Sequence, residues 1–112
     1  MPIELGYFTI PVPDVARATR FYGALFGWTF EESNANYAHV GNTKLPLGLN
    51  KGDPKDLSML YFRVEDIEQM AARVRELGGK ADEIFKSDSG SGAVCSDDQG
   101  TEFSLWQAAP GY

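Results

Sequence analysis

The stretch Phe8-Thr9-Ile10-Pro11-Val12-Pro13-Asp14-Val15 returns in type, at a constant offset, as Leu60-Tyr61-Phe62-Arg63-Val64-Glu65-Asp66-Ile67. In each copy an apolar run enters Val-x-Asp and passes into a helical pattern. Each helical pattern stops at glycine, Gly27 in the first copy and Gly78-Gly79 in the second. Two copies of one supersecondary unit, each too small to bury its own apolar face, predict a pseudo-twofold arrangement with a surface between them where a ligand would go.

Working outward, Ile3 to Ile10 predicts a strand that Pro11 and Pro13 end. Asp14 stands at an N-cap position, and Val15, Ala18, Tyr22, Leu25 and Phe26 share one face of the helix that follows. Gly27 closes it. Trp28 to Glu32, Tyr37 to Val40 and Leu45 to Asn50 read as three more strands, with turns at 33–36 and 41–43. Residues 51–56 have the composition of a linker. The pattern then restarts with a strand from Ser58 to Val64, an N-cap at Asp66 in a capping box with Gln69, and a helix face of Ile67, Met70, Ala71, Val74 and Leu77. Lys80 to Phe85, Gly92 to Ser96 and Thr101 to Gln107 complete the strands. The expected fold class is α+β. Two β-α-β-β-β modules, about 1–52 and 57–108 within one domain of 1–112, form a curved mixed sheet with a concave cleft.

A chain of 112 residues with 43% hydrophobic content suffices for one packed domain. The net charge of −6 argues against a nucleic-acid partner, which needs clustered cations. It is compatible with a cationic ligand, although acidity serves solubility in most small proteins. The single cysteine forms no internal disulfide and fits a reducing compartment. No apolar run has the length to span a bilayer, so a soluble cytoplasmic protein is expected, with no membrane partner.

The two modules, the strand entering Val-x-Asp, the helix carrying Phe21-Tyr22 and ending Leu25-Phe26-Gly27, and the closing Asp97-Asp98-Gln99-Gly100-Thr101-Glu102-Phe103 resemble the vicinal oxygen chelate superfamily. That superfamily holds glyoxalase I, bleomycin-resistance proteins and extradiol dioxygenases. The resemblance covers essentially the whole chain. It implies fold more than function, since isomerisation, ring cleavage, thiol addition and sequestration share the scaffold. It also implies a homodimer, because members of this size build their clefts at or near a dimer interface.

The superfamily's enzymes hold a divalent metal with ligands on four strands. Carried over by flanking pattern, those positions are Tyr7, Gly48, Met59 and Ser104, and none is a usual metal ligand. No metal and no other cofactor is expected. Strand alternation groups Tyr7 with Thr9, Met59 with Tyr61, and Ser104 with Glu102 and Trp106. Tyr7, Thr9, Met59, Tyr61, Ser104 and Trp106 are therefore the candidate ligand-binding residues, for a planar or partly apolar organic molecule. The competing reading is that the sheet fills its concavity with its own aromatics.

His39 and Cys95 are the only residues of their kinds, and each reads as an ordinary strand residue, so no catalytic residue is assigned. Ser87-Asp88-Ser89-Gly90-Ser91-Gly92 reads as a mobile hairpin loop, since no helix follows to present amides to a phosphate. The expected function is metal-independent small-molecule binding. The alternatives are a lyase, isomerase or dioxygenase of the same superfamily with an unrecognised metal site, and a module that only mediates association.

Overall fold

The doubled pattern predicts two helices and eight strands; among the described residues there are two helices and nine strands, in two compact units, residues 1–56 and 57–112. The computed structural model describes Pro2, residues 7–56 and residues 60–111. Of the expected strands, the parts at 3–6 and 58–59 lie outside the described residues.

The first unit runs β1 (Phe8–Val12), α1 (Val15–Phe26), β2 (Phe30–Glu31), β3 (Tyr37–Val40) and β4 (Leu47–Lys51), then a 3₁₀ turn at Pro54–Asp56. Its sheet has the order β1-β4-β3-β2, with β1 parallel to β4 and the other pairs antiparallel. Asp14 accepts from the amide of Arg17 at 3.1 Å and starts α1; Gly27, at φ 71°, ends it. Val15, Ala18, Phe21, Tyr22 and Leu25 bury the apolar face of the helix. On the sheet, Ile10, Val12, Ala38, Val40, Leu47 and Leu49 are buried.

Three expectations shift here. β1 continues through Pro11 to Val12, because β1 is an edge strand and proline's missing N–H costs no ladder bond on the open side. The strand expected at Trp28 to Glu32 shrinks to Phe30–Glu31. Trp28 instead packs on Tyr22 and Phe26, with ring centroids 5.5 and 5.1 Å away, and Glu32 turns to φ 50°. Lys51, expected in a linker, is the last residue of β4.

The second unit runs β5 (Tyr61–Arg63), α2 (Ile67–Glu76), β6 (Lys80–Ala81), β7 (Phe85–Ser87), β8 (Gly90–Ser96) and β9 (Glu102–Ala108). β5 is parallel to β9, β9 antiparallel to β8, and β6 and β7 pair with successive parts of β8. Ile67, Ala71 and Val74 of α2 are buried, as are Ala93, Cys95, Phe103 and Leu105 of the sheet. Asp66 accepts from the amide of Gln69 at 3.1 Å. Beside that bond the amide of Ile67, another first-turn donor, donates to Gln107 Oε1 of β9 at 2.9 Å, so a strand side chain covers the helix entrance.

The strand expected at Lys80 to Phe85 breaks after Ala81 and resumes at Phe85, with the poor strand formers Asp82 and Glu83 in the gap. The hairpin expected at 87–92 is present, with a shorter loop than the six residues expected. Ser87 pairs with Gly90 and Phe85 with Gly92, leaving Asp88-Ser89 as a two-residue turn. The turn is tied down, since Ser89 O accepts from the amide of Ala109 at 2.9 Å and from Trp106 Nε1 at 3.2 Å.

Candidate functional site

One row of residues crosses four strands of the second unit. Arg63 on β5 is in register with Trp106 on β9, Trp106 with Gly92 on β8, and Gly92 with Phe85 on β7. Directly paired residues send their side chains to the same face, so the row lies on one surface. At its centre Gly92 has no side chain, and the Phe85 ring leans into that space: a Cβ at position 92 would meet Phe85 Cζ at 2.5 Å. Trp106 is oriented by its indole N–H on Ser89 O. The Arg63 guanidinium carbon lies 5.3 Å from the Trp106 ring centroid, a cation–π distance.

Phe85, Gly92 and Trp106 of this row line a pocket of about 410 Å³ together with Tyr61, Ser87 and Ser89; Arg63 is not part of its lining. Tyr61 is 61% exposed and Phe85 51%. Large apolar rings left this open in one pocket are surface that a flat organic molecule would cover. The hydroxyls of Ser87 and Ser89 lie 3.2 Å apart at the rim and offer hydrogen bonds. Two other clefts of this unit are more polar, one lined by Lys80, Asp82 and Glu102 and one by Glu65, Asp66, Glu68 and Lys86, and neither contains an aromatic side chain.

Of the residues expected from sequence, Tyr61 and Trp106 come together here. Ser104, in register with Tyr61, is 1% exposed between the buried Phe103 and Leu105, and does not line the pocket. Met59 lies outside the described residues. Tyr7 and Thr9 belong to the first unit, where both are exposed. Tyr7 stacks on His39, centroids 5.9 Å apart and planes 5° apart, with its hydroxyl against Tyr37 Oη and 3.1 Å from His39 Nδ1. Phe85, Gly92, Ser87, Ser89 and Arg63 escaped the sequence reading. Counting outward from a two-residue turn at Asp88-Ser89 would have set Phe85 opposite Gly92.

Of the positions corresponding to the superfamily's metal ligands, Gly48 and Ser104 supply neither carboxylate nor imidazole for a divalent ion, and Met59 lies outside the described residues. Above Gly48 the space belongs to Tyr37, whose Oη would stand 2.5 Å from a Cβ there. Ser104 is a buried neutral hydroxyl. Among the described residues no group of three or more His, Cys, Asp or Glu is disposed to hold a metal. Cys95 is no nucleophile at neutral pH: burial, reinforced by the Asp82 carboxylate and opposed by Arg75, pushes its thiol up to about 11.

The glyoxalase-like domain family matches residues 7–106. No curated protein matches the chain. Solved structures do. The fosfomycin resistance protein FosX of Listeria monocytogenes, complexed with Mn(II) and sulfate, aligns with TM-score 0.80 at 17% identity over 98% of this chain and 94% of its own. The antibiotic binding protein TnmS3 of Streptomyces sp. CB03234 aligns with TM-score 0.76 at 24% identity over 97% and 99%. The bleomycin-binding protein of Streptomyces verticillus, complexed with copper(II)-bleomycin, aligns with TM-score 0.71 at 16% identity over 97% and 100%. At these identities the likeness is one of fold. With nearly all of its length matched by the family, the chain belongs to the glyoxalase-like domain family of the vicinal oxygen chelate superfamily.

Proposed function

We propose that this protein binds a planar, partly apolar organic molecule in the pocket of its second unit, by stacking and without a divalent metal. The observation that carries the reading is the set of three rings, Tyr61, Phe85 and Trp106, in one pocket, with Phe85 seated over Gly92. Aromatic faces give stacking energy to any flat ligand, and the missing side chain at Gly92 lets the Phe85 ring lie in on the sheet. The antibiotic- and bleomycin-binding proteins of like fold support sequestration as the kind of activity. The misfit of Tyr37 over Gly48 to metal ligation supports the metal-free part. A homodimer in the cytoplasm completes the proposal. Edge strands β1 and β5 leave sheet edges for a partner to cover, and a lone buried thiol suits a reducing compartment.

Native mass spectrometry of freshly purified protein tests all three parts, since it reads subunit number, retained organic mass and retained metal together. A dimer carrying an organic adduct and no metal is expected. One divalent ion per chain, lost to EDTA together with function and restored by re-addition, would transfer the reading to a metal-dependent enzyme. Once a ligand is in hand, its binding should quench tryptophan fluorescence and survive EDTA. Trp106→Ala should weaken it by about 1–3 kcal/mol, the scale for losing a large aromatic contact.

A further inference from the structure

We infer that the molecule this pocket takes is a planar aromatic anion, a ring system carrying a carboxylate or a similar acid group, held by Arg63 at the edge of Trp106. The inference rests on the pocket being the ligand site and adds the charge of the ligand. The chain as a whole carries −6, which disfavours anions near its surface. The pocket departs from that background. None of the residues lining it is a carboxylate, whereas Glu65, Asp66, Glu68, Asp82 and Glu102 line two other clefts of this unit. Asp88, at the exposed tip of the β7–β8 turn, does not line it either.

Arg63 does not line the pocket itself but stands against Trp106, which does. It is exposed, in register with Trp106, and its guanidinium lies over that ring rather than on a carboxylate. Among the described residues Arg63 makes no ion pair. A guanidinium has five donors in a planar fork that matches a carboxylate, and stacking on indole leaves those edge N–H groups free to point outward. Tyr61, two residues earlier on the same strand and face, brings a phenolic hydroxyl to the same side of the pocket. A ligand with its ring against Phe85 and its acid group toward β5 meets both.

Isothermal titration calorimetry at low ionic strength with three probes of one shape separates charge from stacking: 2-naphthoate, neutral 2-naphthol and protonated 2-naphthylmethylamine. Naphthoate should bind about tenfold tighter than the ammonium probe, and added salt should shrink the difference. Arg63→Gln should remove most of that preference, and Arg63→Lys should keep part of it as a point charge. Lys86→Gln, which deletes an equal charge from the opposite side of β7, should leave it unchanged. If all three probes bind alike while Trp106→Ala weakens them all, the pocket reading stands and the anion inference is overturned. If no probe binds, or Trp106→Ala changes nothing, the pocket itself is not the site and both fall.

Discussion

Gly90 carries more of the pocket than its size suggests. It opens β8 at φ 140°, a conformation that strains any side chain, and a Cβ there would sit 2.0 Å from Gln107 O and 2.8 Å from the backbone nitrogen of Ala109. These obstacles are backbone of the neighbouring chain end and cannot rotate away. Gly90→Ala should therefore cost about 3 kcal/mol or more, adding overpacking to conformational strain. Urea denaturation reads the loss, and a midpoint within error of the parent would refute it. Gly92 differs instructively. Its Cβ would meet only the tip of the Phe85 ring, which can swing outward, so the same substitution there should reshape the pocket more than it destabilises the fold. Neither role is visible in the string Ser89-Gly90-Ser91-Gly92, because both depend on which strand lies opposite.

Both helices begin alike, and their beginnings were legible because capping is local: Asp14 and Asp66 each reach three residues forward, to Arg17 and Gln69, at 3.1 Å. The capping box of Asp66 with Gln69 implied a stronger cap on α2. Since the two carboxylates make the same bond at the same distance, and Gln107 serves the separate Ile67 amide, the two caps should be equivalent, and Asp14→Ala and Asp66→Ala should each cost about 1 kcal/mol. Gln107→Leu should cost a similar amount by leaving the Ile67 amide without its acceptor, an effect no local motif announces. Chemical denaturation of the three variants checks this; an Asp66→Ala loss far above that of Asp14→Ala would restore the box. The same division between local and non-local signals explains what was readable of the site. Tyr61 and Trp106 were found by alternation along their own strands. Phe85 and Arg63 join them only through pairing across β7-β8-β9-β5, which needs the register. Ser104 comes from the resemblance, as a position from which alternation is counted, and alternation gives direction and not exposure.

At the scale of the whole molecule, the doubled Val-x-Asp pattern marked both units, because hydrophobic runs and caps are written twice in the chain. The interior holds few buried polar or ionisable groups, and its one thiol should give stability a distinct alkaline signature. Cys95 is 2% exposed in β8, and its folded-state pKa of about 11 exceeds the ordinary 9.0. The unfolded chain releases this proton from about pH 9 upward, while the folded chain keeps it until about 11. The contribution is thus intact below pH 9 and is lost as pH rises through 11. About 1.4 kcal/mol per pH unit across that window makes the loss about 2–3 kcal/mol. Tyrosines, lysines and growing net negative charge also act in this range, so the parent alone cannot isolate the effect. Cys95→Ala can. The variant should be less stable than the parent at pH 7, having lost buried side-chain volume, and the gap should close between pH 9 and 11. Urea midpoints taken at half-unit steps from pH 7 to 11 give the comparison. Parallel curves for the two proteins would mean that the thiol ionises as easily in the folded chain as in the unfolded one.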